Sequence, residues 1–185
     1  MKDLIRETKT HFLKTMNEGT PRYAFFPRHV EHVEHWAKRI FEIYPSADEE
    51  IVLLSVWLHD IGHADGDDGK DHAIKSESEA RRFLAGIELA PERIEAVAHC
   101  VRSHRCRDVP PQTTEAKILA VADSAGHMTD LSYLTMLQDG APKASILEKL
   151  ERDYRAVGLI PEMKDELASL YRAWKKLLDA FPDMG

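Results

Sequence analysis

The sequence is short of the residues that staple small exported domains or cross membranes. It has only two cysteines, Cys100 and Cys106, in 185 residues. Two thiols make no disulfide framework, so both are expected to be reduced and the protein to be cytoplasmic. Glycine and proline number nine each, too few for a collagen-like or low-complexity chain. The longest apolar run, IVLLSVWL at 51–58, falls well below the ~20 residues a membrane span needs. The opening MKDLIRETKTHFLK reads as amphipathic helix rather than secretion signal. Positive charge is also in deficit: 25 Lys and Arg against 32 Asp and Glu give −7. A general nucleic-acid binder draws its affinity from neutralising phosphates, so no long polynucleotide and no membrane is expected as a partner. A small phosphate ester held at a cation is compatible with that balance.

Period-two alternation is missing too. The chain reads instead as helices separated by short breaks rich in Pro, Gly or Asp, which points to an all-α, single-domain bundle over residues 1–185. Residues 1–17 form an amphipathic start. From His29 to Tyr44, the positions Val33, Trp36, Ala37, Ile40, Phe41 and Tyr44 follow one helix face, and Pro45 breaks it. Ser46 with Glu49 has the capping-box pattern ahead of ADEEIVLLSVWLHD, a helix apolar nearly all round and hence expected in the core. Further helices are read at 72–87, at 91–104 with Pro91 in its first turn, and over TEAKILAVADSAGHM. Two more fill the C-terminal third at 141–181, one ending at Gly158 and one starting at Pro161.

What the chain has in excess is histidine, ten in all. Three of them, with five aspartates, crowd into WLHDIGHADGDDGKDH at 57–72. His59 and Asp60 close the buried helix, where the unpaired carbonyls and the dipole favour a cation. A carboxylate there is unfavourable unless something positive neutralises it. His29 continues the stripe of Val33, Trp36, Ala37 and Ile40; His104 extends Ile94, Val97 and Val101; Asp123 follows Ala116, Leu119 and Ala120. A polar group in line with a buried stripe must find a partner, and one divalent ion shared between these helices would satisfy all of them. A lone histidine on such a stripe is more often an ordinary hydrogen-bonded core residue, so the weight lies on the set. His32 and His35 flank their stripe, His99 reads as solvated, and His11 and His127 lack supporting context. ADGDDGKD fails as an EF-hand, because Gly69 stands at loop position five and Ser76 replaces the closing Glu. HVEHVEH does not have the HExxH spacing of zinc proteases.

Taken together, HVEHVEHWA, LLSVWLHDIGH and EAKILAVADSAGHM resemble the H…HD…D series of the HD-domain superfamily of metal-dependent phosphohydrolases, in its HDIG form. The resemblance covers about residues 25–130, leaving the C-terminal helices to complete the bundle or shape a pocket. It implies a metal site between core helices, with His29, His59, Asp60 and Asp123 as ligands. Two-metal relatives add two histidines, for which His72 and His104 are available. Asp60 would then bridge two ions. With one ion, His72, His104 or His63 is left as general acid or phosphate contact. Many relatives carry Lys where this chain has His63, so the phosphate role of that position does not transfer directly.

The implied reaction is hydrolysis of a small phosphate ester, a nucleotide or related metabolite, using hydroxide from water whose pKa a divalent ion lowers to about 7. Asp60, His63, His72 and Arg105 are the expected catalytic residues. Arg102, Arg105 and Arg107 cluster beside His104 and Lys70 lies beside His72; Arg105 is the one chosen for phosphate, which a guanidinium can grip with two hydrogen bonds, while the plain reading of the run is a solvated helix end. Mixed N/O ligands suit Mn, Fe, Co, Ni or Zn better than Ca, with Mg also a candidate cofactor, and the absence of cysteine ligands argues against structural zinc. Two alternatives use the same ligands: a di-iron oxygenase, and a metal-occupied sensing module without turnover.

Overall fold

In the computed structural model, residues 2–19, 26–66 and 68–181 are described. Residue 25, where the HD-like segment was expected to start, and Asp67 of the acidic loop lie outside them. The described residues form helices and no strand. The helices are α1 (Lys2–Glu18), α2 (Phe26–Phe41), α3 (Glu49–Leu58), α4 (His72–Gly86), α5 (Pro91–Ser103), α6 (Thr114–Thr129), α7 (Ser132–Gln138), α8 (Lys143–Val157) and α9 (Pro161–Ala180). A short 3-10 helix at Ile61–Asp65 follows α3. Among the described residues no helix is long and apolar enough to cross a membrane.

α3 is the central rod. Every residue from Ile51 to Leu58 is buried, as its all-round apolar character predicts. It packs against α1, α2, α4, α5 and α6, while α8 and α9 cover the far side of α6. A continuous apolar cluster runs from Phe12 in α1 to Leu178 in α9 and includes Trp57 and Leu54 of α3. The C-terminal helices therefore share the core of the rest.

Caps place the helix starts. Asp48, rather than Ser46, caps α3: its carboxylate accepts from the Ile51 N–H at 3.1 Å. Asp48 also takes two hydrogen bonds from Arg93 of α5, a tertiary contact that the local capping pattern does not contain. Asp71 caps α4 and Thr113 caps α6. α2 stops at Phe41 instead of Tyr44, its end tightened by the Ile43 N–H to Ile40 carbonyl bond at 2.9 Å. The chain must leave helical geometry ahead of Pro45. The seven-residue α7 was not foreseen, being too short to show a period.

Candidate metal centre

The ends of four helices and the middle of a fifth meet at one point. His29 lies one turn into α2, His59 caps the C-terminus of α3 with Asp60 next in the chain, His72 begins α4, and His104 caps the C-terminus of α5. Asp123 projects from α6. His29, His59, Asp60, His104 and Asp123 are buried, with 0–6 % of their surface exposed, and His63 and His72 are half-buried.

The donor atoms fall into two groups that Asp60 joins. On one side, His29 Nε2 lies 3.1 Å from Asp123 Oδ1 and His59 Nε2 lies 3.6 Å from the same oxygen. Asp60 turns Oδ2 toward them, 3.4 Å from His59 Nε2 and 4.0 Å from His29 Nε2. Its other oxygen, Oδ1, faces His72 Nε2 at 3.3 Å and the Nε2 atoms of His63 and His104 at 3.8 Å each. His72 and His104 hold their Nε2 atoms 3.4 Å apart. Within His29, His59 and Asp123, and again within Asp60, His63 and His72, one donor atom per residue lies within 4.8 Å of the others.

The other ring nitrogens are tied down. His59 Nδ1 and His104 Nδ1 donate to the carbonyls of Val56 and Val101, at 2.8 and 2.6 Å. His29 Nδ1 pairs with Asp130 Oδ2 at 2.9 Å. Such bonds orient an imidazole so that Nε2 presents its lone pair to a metal. His59 Nε2 is buried and has no hydrogen-bond partner. A buried orphan acceptor costs ~1–3 kcal/mol, so the donor set fits a cation at this position.

The proton inventory agrees. Burial opposes charge on His29, but the hydrogen bonds to Asp123 and Asp130 override it and raise its pKa to about 10. Burial favours the neutral form of Asp60, yet the charges of His59, His63 and His72 hold its carboxyl well below the usual range. Burial, then the charge of His59, push His104 down to about 4; burial lowers His72 to about 3. At neutral pH, His72 and His104 are therefore free to ligate, whereas His29 carries a proton on the nitrogen a cation would take. Uptake of Mn²⁺ at pH 7 is expected to release at least one proton, because the metal must displace it. Calorimetry in buffers of different ionisation enthalpy measures this, and uptake without proton release would show that His29 is not a ligand.

A cavity of about 240 Å³ opens over the cluster. Asp60, His63, His72, His104, Arg105 and Asp123 all line it, so every residue expected at the site from sequence is at the cavity or, for His29 and His59, directly beneath it. Arg105 is anchored by an ion pair with Asp71. Arg102 is engaged with Asp108 and Glu77 instead. His99 is half-buried rather than solvated and accepts from the Gln112 N–H at 3.2 Å. His11 lies elsewhere, stacked on Phe83.

His127 of α6 and Asp130, the residue that caps its C-terminus, escaped the sequence reading. His127 stacks on His29 at 4.6 Å and sets Nε2 3.5 Å from Asp123 Oδ1; Asp130 anchors His29. They follow Asp123 by one and two turns, a signal the sequence did contain. Lys149, Arg152 and Asp153 reach the cavity from α8, and no local pattern marks them. Lys149 Nζ lies 3.0 Å from both His127 Nδ1 and Asp153 Oδ2, and the Tyr133 hydroxyl donates to that oxygen at 2.8 Å.

No curated protein and no solved structure matches the chain significantly. The HD domain model matches residues 28–126, a span of more than half the chain that holds His29, His59, Asp60, His72, His104 and Asp123, and the protein belongs to the HD domain family.

Proposed function

We propose that this protein is a metal-dependent phosphohydrolase that cleaves the phosphate ester of a small molecule such as a nucleotide. The observation that carries the reading is Asp60, whose two oxygens address two separate groups of imidazoles inside a cavity with a cationic wall. His29, His59, Asp60 and Asp123 would hold one divalent ion, and Asp60, His72 and His104 a second. A bound divalent ion supplies Lewis acidity and lowers the pKa of its water to about 7.

The chain's own residues do the rest. Arg105 and Lys149 offset the charge of a phosphoryl group and orient it. Asp71 holds the Arg105 side chain, which reduces the entropy lost on gripping an anion. His63, packed between Phe26 and His72 at 4.5 and 4.1 Å, stands where it can contact the phosphoryl oxygens. At about 240 Å³ the cavity lies below the ~300–1,000 Å³ usual for small-molecule sites, which favours a compact ester over a polymer.

The test is phosphate release from a panel of nucleotides and sugar phosphates with Mn²⁺, Co²⁺, Ni²⁺ or Mg²⁺. Release that a chelator abolishes is expected. The convergence of His72 and His104 on the same carboxylate also supports a second reading, a di-iron oxygenase. Bound iron with O₂ consumption and no phosphate release would favour it, and metal binding without any turnover would favour a sensing module.

A further inference from the structure

The cations around the pocket are distributed unevenly. Arg105 lines both the cavity over Asp60 and Asp123 and an adjoining groove of about 360 Å³ that it shares with His63 and His72. Cavity and groove therefore adjoin at Arg105, His63 and His72. Arg152 of α8 lies on the cavity side and Arg107 on the groove side. Asp71 is the one carboxylate in the groove lining, and it is already occupied by Arg105 and the Ala73 N–H. Lys75 of the groove is tied to Asp68 and to the Gly66 carbonyl.

The side chains of Arg107 and Arg152, by contrast, form no ion pair or hydrogen bond with any described residue. They are also close enough to oppose each other: burial, then the charges of Arg105 and Arg152, push the Arg107 guanidinium below its ordinary value. Asp71 and Glu148 attract Arg107 without pairing with it, so in a protein of net charge −7 the three guanidinium groups still hold a local repulsion that an anion relieves. The planar fork of arginine matches phosphate oxygens in pairs.

We propose that Arg107 and Arg152, with the shared Arg105, form a second anion subsite beside the metal centre, so that preferred substrates carry a further phosphoryl group next to the one that reacts. The class is a small diphosphate or polyphosphate ester rather than a simple monoester. This inference rests on the phosphohydrolase reading. The reacting phosphoryl group would sit over Asp60 and Asp123, and its neighbour would lie where cavity and groove adjoin, with Arg152 on the cavity side and Arg107 on the groove side.

The experiment measures binding of inorganic pyrophosphate and of orthophosphate to the Mn²⁺-loaded protein by calorimetry, for wild type and for R107Q, R152Q and the double variant. Wild type should prefer pyrophosphate. Each single variant should lose about tenfold in pyrophosphate affinity, the size of one charge-assisted hydrogen bond, and the double variant should lose most of the preference. Mn²⁺ and orthophosphate binding should stay unchanged. Chelation of Mn²⁺ by pyrophosphate in solution is the same for every variant and cancels. Variants that keep the wild-type preference overturn the subsite while leaving the phosphohydrolase reading standing. Absence of Mn²⁺ binding, or of affinity for either anion, overturns the phosphohydrolase reading and the subsite with it.

Discussion

Asp60→Ala is expected to strip the protein of divalent metal and to lower turnover by at least about 10³-fold. A metal ion contributes several kcal/mol to transition-state charge stabilisation, and each 1.36 kcal/mol is worth about tenfold in rate. Asp60 is the one side chain that addresses both imidazole groups: Oδ2 faces His59, and Oδ1 faces His72. Alanine there leaves His29, His59 and Asp123 with one carboxylate and leaves His72 and His104 with none. The helices should survive, because Asp60 precedes the 3-10 helix without capping it through its side chain. Far-ultraviolet circular dichroism would remain helical while metal analysis after dialysis shows the loss. A fully active Asp60→Ala protein would sink the site assignment.

Gly62→Ala should lower the melting temperature by about 2–12 °C and turnover by about 10²-fold. A Cβ at Gly62 would stand 2.6 Å from the His72 carbonyl oxygen, 2.7 Å from Lys75 Cβ and 2.7 Å from the Ser76 nitrogen. Two of these atoms are backbone, so α4 must retreat as a unit. Overpacking of this kind costs ~1–3 kcal/mol, and in a chain of this size each kcal/mol moves the melting point by roughly 2–4 °C. The retreat also stretches the 2.9 Å bond from the Gly62 N–H to Ser76 Oγ. His72 is the first residue of α4, so it moves off Asp60, and misplacement by about 1 Å can cost about 10²-fold. Gly86→Ala is the control, since nothing lies within 4 Å of its added Cβ. A Gly62→Ala protein that melts and turns over like wild type would show that this close approach does not hold His72 in place.

Much of the site was legible in the chain because its residues interrupt strong helical patterns. His29 and Asp123 continue apolar stripes, and His59–Asp60 end a helix that is otherwise apolar on every side. Those are conflicts between a residue's polarity and its place, and a conflict of that kind can be read locally. His127 was readable on the same ground, one turn after Asp123 in α6, but gained its meaning only from stacking on His29. The cap of α3 could not be ranked locally. Ser46 fits the local pattern, and Asp48 prevails because Arg93, 45 positions away, also binds it.

By itself, the sequence determined the all-helical class, the central α3 and the residues able to bind a cation. These follow from hydrophobic period, helix ends and side-chain chemistry, all properties of residues near one another in the chain. Only the tertiary structure decided that Asp60 divides its oxygens between two imidazole groups, that Asp130 orients His29, and that α8 supplies Lys149 and Arg152 to the cavity. It also gave Gly62 its reason, which is the backbone of α4 pressed against it. Such features depend on the directions in which separate helices deliver their side chains, and those directions are set by how whole helices pack in the core, not by any short stretch of residues.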